Sequence, residues 1–131
     1  MNAPVLGGRQ ASKLSGSTAE VVYRYYELVD RMDYVALVAL FDPDAVYVRP
    51  GYRPLRGTDQ LLHFYQESRI IEHGHHELRM VAVDGPLVAV AGTFEGHLRD
   101  GRPIRQGFAD FFTVTDGMIT ARETYFDVPA V

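Results

Sequence analysis

A chain of 131 residues is long enough to bury one core and short for two ordinary domains. Hydrophobic residues at 47% and charged residues at 23% give the composition of a globular domain, not of a disordered or fibrous chain. Against 17 acidic side chains stand 13 basic ones, for a net charge of −4, and no basic run marks a nucleic acid or a membrane surface as partner. With no cysteine there are no disulfides, no thiol catalysis and no thiolate metal sites. No apolar stretch is long enough to span a bilayer, and the N-terminus lacks the apolar core of a signal peptide, so a cytoplasmic protein is expected.

Residues 1–16, rich in Gly, Ser and Ala without periodicity, read as a flexible tail ahead of a single domain over 17–131. Ser17-Thr18-Ala19-Glu20 offers a capping box. Val21, Val22, Tyr25, Leu28, Val29 and Met32 follow at helical spacing, predicting a helix to about Asp30 with Tyr25 on its apolar stripe. A second, short helix is expected over 33–41, stopping before Asp42-Pro43. A short strand over 45–49 follows, broken by Pro50-Gly51-Tyr52-Arg53-Pro54. Thr58 is then expected to cap a third helix over 59–72 that buries Leu61, Leu62, Phe64 and Tyr65.

From His75 onward the texture is β. Runs over 75–83, 87–98, 103–115 and 118–128 are separated by Asp84-Gly85-Pro86, Asp100-Gly101 and Asp116-Gly117. Asp-Gly between apolar runs signals a hairpin, because glycine supplies positive φ and aspartate tolerates it. Helices first and an antiparallel meander after them define an α+β domain.

Asp110 stands out in Gly-Phe-Ala-Asp-Phe-Phe, a carboxylate among three phenylalanines. With Asp100-Gly101 as a two-residue turn, Ala91 would face Asp110, Thr93 Phe108, Glu95 Gln106 and His97 Ile104, with Phe112 beyond them. One ribbon face would then be apolar at its base and polar toward the turn, which suits a lined pocket.

Three stretches together resemble the nuclear transport factor 2-like superfamily, which includes ketosteroid isomerase and the SnoaL-like polyketide cyclases. They are Val-Val-Tyr-Arg-Tyr-Tyr at 21–26; Leu-Val-Ala-Leu-Phe-Asp-Pro-Asp-Ala-Val at 37–46 with Arg-Gly-Thr opening the next helix; and the four-stranded ending with Gly-Phe-Ala-Asp-Phe-Phe and Tyr-Phe-Asp. The resemblance implies a cone-shaped, strongly curved mixed β-sheet, mainly antiparallel, wrapped around three helices and enclosing a pocket. It also implies a homodimer through the outer sheet face. By resemblance to ketosteroid isomerase, Tyr25 falls on the oxyanion-hole tyrosine and Asp110 on the acid completing that hole. Phe64, Thr93, Glu95, His97 and Phe126 fall on cavity positions. The general-base aspartate before a proline is here Arg49 before Pro50, and a guanidinium takes up no proton. SnoaL-like cyclases use an aspartate on this late strand, which fits Asp110.

The expected function is therefore a cofactor-independent cyclase, isomerase or dehydratase acting on a small apolar carbonyl compound such as a polyketide intermediate. Asp110 would move the proton, as a neutral donor or an ionised base. Tyr25 would bond the oxyanion, and Arg49 would hold the polar end of the ligand unless it pairs with Asp44 or Glu95. Phe64, Thr93, Glu95, His97, Phe108, Phe112 and Phe126 would form the binding surface. One alternative is a non-catalytic module that holds a small ligand or a protein. A second is an epoxide hydrolase using Asp110 with Glu95. His73, His75 and His76 suggest a metal at first sight, but only His73 and His75 share a strand face, so none is expected.

Overall fold

The computed structural model describes the backbone of residues 9–128 and the side chains of residues 18–128. Helix α1 is Arg9–Asp30, α2 Tyr34–Val38 and α3 Gly57–His63, the last continued by a π-helical turn, Phe64–Ser68. The strands are β1 Phe41–Val48, β2 Leu55–Arg56, β3 Ile71–Asp84, β4 Leu87–Leu98, β5 Pro103–Thr115 and β6 Met118–Phe126. They form one curved, unclosed sheet in the order β2-β1-β6-β5-β4-β3, mixed because β1 runs parallel to β6 while every other pair is antiparallel.

Several elements begin or end away from their expected bounds. Part of the expected tail, residues 1–8, lies outside the described residues, while α1 starts at Arg9, so Ser17 sits inside the helix instead of capping it. Gly16 costs about 1 kcal/mol there, which does not stop a 22-residue helix. Helix α1 ends in a Schellman arrangement, Met32 N–H to Val29 O and Asp33 N–H to Leu28 O, with Met32 left-handed at φ 59°. Asp33 then caps α2, its side chain accepting from Ala36 N at 3.3 Å.

Strand β1 begins at Phe41, before Asp42-Pro43, not after it. Its pairing with β6 jumps between Phe41↔Ile119 and Val46↔Ala121, and this irregular stretch accommodates Pro43, which has no ladder donor. Helix α3 opens at Gly57, with Arg56 as the preceding cap residue and Gln60 Oε1 accepting from Arg56 N at 2.8 Å. It is shorter than expected, and Glu72 lies in β3.

The β4–β5 hairpin departs most. Leu98 N–H bonds Arg102 O and Gly101 N–H bonds Leu98 O, making a three-residue loop with Gly101 at φ 90°. One extra loop residue shifts the pairing by one. Val90 faces Asp110, Gly92 Phe108, Phe94 Gln106 and Glu95 Arg105. Because side chains alternate, a one-residue slip exchanges the faces of β4 relative to β5. Val88, Val90, Phe94 and Leu98 therefore share the inner face with Gln106, Phe108, Asp110 and Phe112. Gly92 lies on that inner face, where a Cβ would come 2.1 Å from Glu77 O and 3.0 Å from the Phe108 ring, so no side chain fits.

The core lies between this face and the helices. Val22, Tyr25, Tyr26, Leu28 and Val29 of α1 and Leu61 and Phe64 beyond β2 are buried against Phe41, Tyr47, Val88, Val90, Phe108, Phe112 and Ile119.

Candidate active site

Asp110 is fully buried, at 0% exposure, and its carboxylate takes donors from two elements. Tyr26 O–H from α1 and Arg122 Nη2 from β6 reach Oδ2, the latter at 2.9 Å, while Thr124 O–H from β6 reaches Oδ1 at 2.5 Å. The β6 partners are there because Asp110 faces Thr124 and Phe112 faces Arg122 across the β5–β6 ladder, on the same inner face. Arg122 is a donor only, so the set suits an ionised carboxylate within a buried ion pair.

A second tier of hydroxyls surrounds this pair. Arg122 Nη1 donates to Tyr25 OH at 2.6 Å and Tyr65 OH at 3.1 Å, and those two oxygens lie 2.5 Å apart. The Arg122 guanidinium is held between the rings of Tyr25 and Tyr47, 4.5 and 4.4 Å from their centroids. Thr124 spends its proton on Asp110, so Tyr47 donates to Thr124 Oγ1 at 2.9 Å. Burial pushes the Tyr25, Tyr26 and Tyr65 hydroxyls above the usual phenol range, with Arg122 opposing, so each is a neutral donor. Burial works against the charge on Arg122, but Asp110 and the hydroxyls of Tyr25, Tyr47 and Tyr65 outweigh it and hold the guanidinium's pKa well above its usual value.

These groups border a narrow cavity, about 370 Å³ of empty space when its open mouth is counted, but with room for water-sized occupants over only about 20 Å³. Its wall holds Asp110, Tyr25, Arg49, Phe108 and Phe126 among the expected residues, joined by Arg122, Arg69, His76 and Gln106. Phe64 lies behind the wall with the Arg49 guanidinium 5.0 Å over its ring, and Phe112 packs on Tyr25 and Tyr26. Arg49 is buried over Tyr52, Phe64 and Phe126 and reaches Tyr47 OH at 3.4 Å, not Asp44 or Glu95.

Thr93, Glu95 and His97 do not line this cavity; the shifted register turns them to the outer face. Glu95 pairs there with Arg105 at 3.0 Å, not with Gln106, and His97 stacks near His73 in a shallow outer groove. Glu95 is thus unable to act beside Asp110, and among the described residues Asp110 is the one carboxylate on the cavity wall. The three histidines divide: His73 and His75 lie outside, while His76 turns inward, its Nδ1 2.6 Å from Asp30 Oδ1. Among the described residues no group of three or more His, Asp or Glu is placed to hold a metal.

The residues not anticipated are Tyr26, Tyr47, Arg69, Arg122 and Thr124. A signal existed for two of them. In β6, Arg122, Thr124 and Phe126 alternate with Glu123 and Tyr125, so the apolar Phe126 places Arg122 and Thr124 on its own face.

A buried, hydrogen-bonded carboxylate at the bottom of a helix-capped curved sheet defines a pocket-bearing α+β domain. Residues 22–122 match the family described as the SnoaL-like domain, and the chain belongs to that family. Among curated proteins no sequence match is found.

Solved structures share the fold at low identity. A Mycobacterium tuberculosis LEH-like epoxide hydrolase is 19% identical, with a TM-score of 0.76 over 86% of this chain and 84% of that one. A putative SnoaL-like polyketide cyclase from Jannaschia sp. CCS1 is 16% identical, with 0.74 over 87% and 88%. The epoxide hydrolase/cyclase-like enzyme SalBIII, described as acting in pyran ring formation in polyether salinomycin, is 22% identical, with 0.77 over 86% and 92%.

Proposed function

We propose that this chain is a cofactor-independent enzyme that moves a proton on a small, largely apolar carbonyl compound, as a cyclase, isomerase or lyase. The observation that carries this reading is Asp110: a fully buried carboxylate on a cavity wall, held by Tyr26, Thr124 and Arg122. Asp110 acts as the base toward a carbon next to the carbonyl, and one of its present hydrogen bonds gives way as it takes the proton. Tyr25, fixed by Tyr65 and Arg122, donates to the oxyanion that develops. Arg122 donates to the carboxylate and fixes its orientation, and Arg49 holds a polar end of the ligand. Phe108 and Phe126 shape the cavity, with Phe64 and Phe112 supporting it from behind. A cytoplasmic location and a role in biosynthesis accord with this chemistry, and the protein works as a homodimer joined through its outer sheet face.

The experiment is solvent-deuterium incorporation into the α-carbon of α-tetralone, followed by mass spectrometry. The wild type accelerates exchange, Asp110→Asn loses about 10²-fold or more, and Tyr25→Phe loses about 10²-fold. Equal rates for wild type and Asp110→Asn would sink the catalytic reading and leave a ligand-binding module.

A further inference from the structure

The cavity has a second polar end that the Asp110 chemistry does not use. Arg69, in the connection between the π-helical turn and β3, is 6% exposed, yet among the described residues no carboxylate pairs with it and its Nε has no acceptor. Its guanidinium lies 5.9 Å from the Tyr65 ring and 6.0 Å from the Phe94 ring. Gln106, 3% exposed, has neither Nε2 nor Oε1 bonded. Phe94 and Gln106 are cross-strand partners on the inner face, so the Phe94 ring links the two groups. Both Arg69 and Gln106 are on the wall of the cavity that holds Asp110.

A buried guanidinium without a counter-ion and a buried amide with no partner on either side are each costly, and native proteins satisfy such groups. An apolar occupant would leave both costs in place. A carboxylate would relieve the larger share of them: its two oxygens match the guanidinium fork and accept from Gln106 Nε2. Gln106 precedes Asp110 by four residues on one face of β5, about 13 Å along the strand, with Phe108 between them. The cavity is thus polar at both ends and aromatic in the middle.

We propose that Arg69 and Gln106 form a carboxylate-recognition end, and that the compound on which Asp110 acts is an elongated organic acid with its carbonyl at the far end from the acid group. This rests on the reading that Asp110 works on a ligand in this cavity.

The test measures binding of benzoate by ligand-observed NMR, with benzamide as the uncharged isostere and inorganic phosphate as an oxyanion without a carbon body. Wild-type protein is expected to bind benzoate about ten-fold or more tighter than benzamide, and Arg69→Gln to abolish that preference. Gln106→Leu weakens benzoate several-fold. Arg69→Lys, which keeps the charge should the glutamine variant fail to fold, retains the preference with reduced affinity. The proposal is overturned by equal binding of benzoate and benzamide, by undiminished benzoate affinity in Arg69→Gln, or by phosphate bound in preference to benzoate. Asp110→Asn separates this idea from the acid–base reading. Benzoate preference kept with α-tetralone exchange lost supports both. Exchange unaffected by that substitution leaves the carboxylate end standing and removes the acid–base reading alone.

Discussion

Asp110 and Arg122 form a buried ion pair in which hydroxyls hold both partners, although Arg122 Nε has no acceptor. Two charges taken out of water cost several kcal/mol each, and their attraction offsets this only with good geometry and further hydrogen bonds. Here Tyr26 and Thr124 serve the carboxylate, and Tyr25 and Tyr65 serve the guanidinium. His76, on the same cavity wall, gives a pH-dependent prediction. Burial lowers its pKa from the ordinary imidazole value, with the hydrogen bond it donates to the Asp30 carboxylate opposing. The unfolded chain protonates this histidine near pH 6.5, while the folded chain resists until lower pH. The unfolded state therefore binds more protons in that window, and stability falls as pH drops below about 6.5, by at most about 1.4 kcal/mol per pH unit. Urea unfolding at pH 7.5 and 5.5 should show the loss, and His76→Gln should reduce it; an unchanged pH slope in that variant would refute the assignment. At this scale the sequence pointed to Asp110 through its phenylalanine neighbours, and to Tyr25 through helical spacing. It did not mark Tyr26 as a partner of Asp110, since that contact depends on how α1 lies across β5 and no local signal carries it.

The elements carry a different lesson. Helices, strands and their order were legible because apolar period and Asp-Gly turns are local signals. The β4–β5 register was not, because Asp100-Gly101 closes a two-residue and a three-residue loop equally well on paper. The choice falls to packing: only the three-residue loop puts Val90 and Phe94 inward beside Asp110 and Phe108. The face of Arg122 was legible from its alternation with Phe126, but its place opposite Phe112 was not, since the β5–β6 ladder also shifts between Thr113 and Val114. Local strain makes the other prediction here. Met32 is left-handed at the end of α1, a conformation that costs a non-glycine residue about 1–2 kcal/mol, and its side chain is largely exposed. Met32→Gly removes that strain and loses part of the gain to a more flexible unfolded chain. We expect a net stabilisation of about 0.5–1 kcal/mol, read as a raised urea midpoint at unchanged m; a lowered midpoint would contradict it.

On the scale of the whole molecule, the outer sheet face remains open. Met80, Ala91, Ala109 and Tyr125 make one row across β3, β4, β5 and β6, with Leu87 and Phe111 beside it, and Met80, Leu87, Phe111 and Tyr125 are each about half exposed or more. Under a two-fold axis such a row would meet its own copy. Light scattering after gel filtration should give twice the chain mass for the wild type and a single chain mass for Phe111→Glu, in which a charge would be buried against its own copy. A monomeric wild type at micromolar concentration would count against the dimer. The inner side has a kinetic consequence of its own. Asp110 exposes none of its surface and borders only a narrow cavity, so a ligand of the proposed size would reach it only after the cavity widens. Its arrival is then timed by the protein, not by diffusion: the observed binding rate should climb with ligand concentration and level off at the rate of opening.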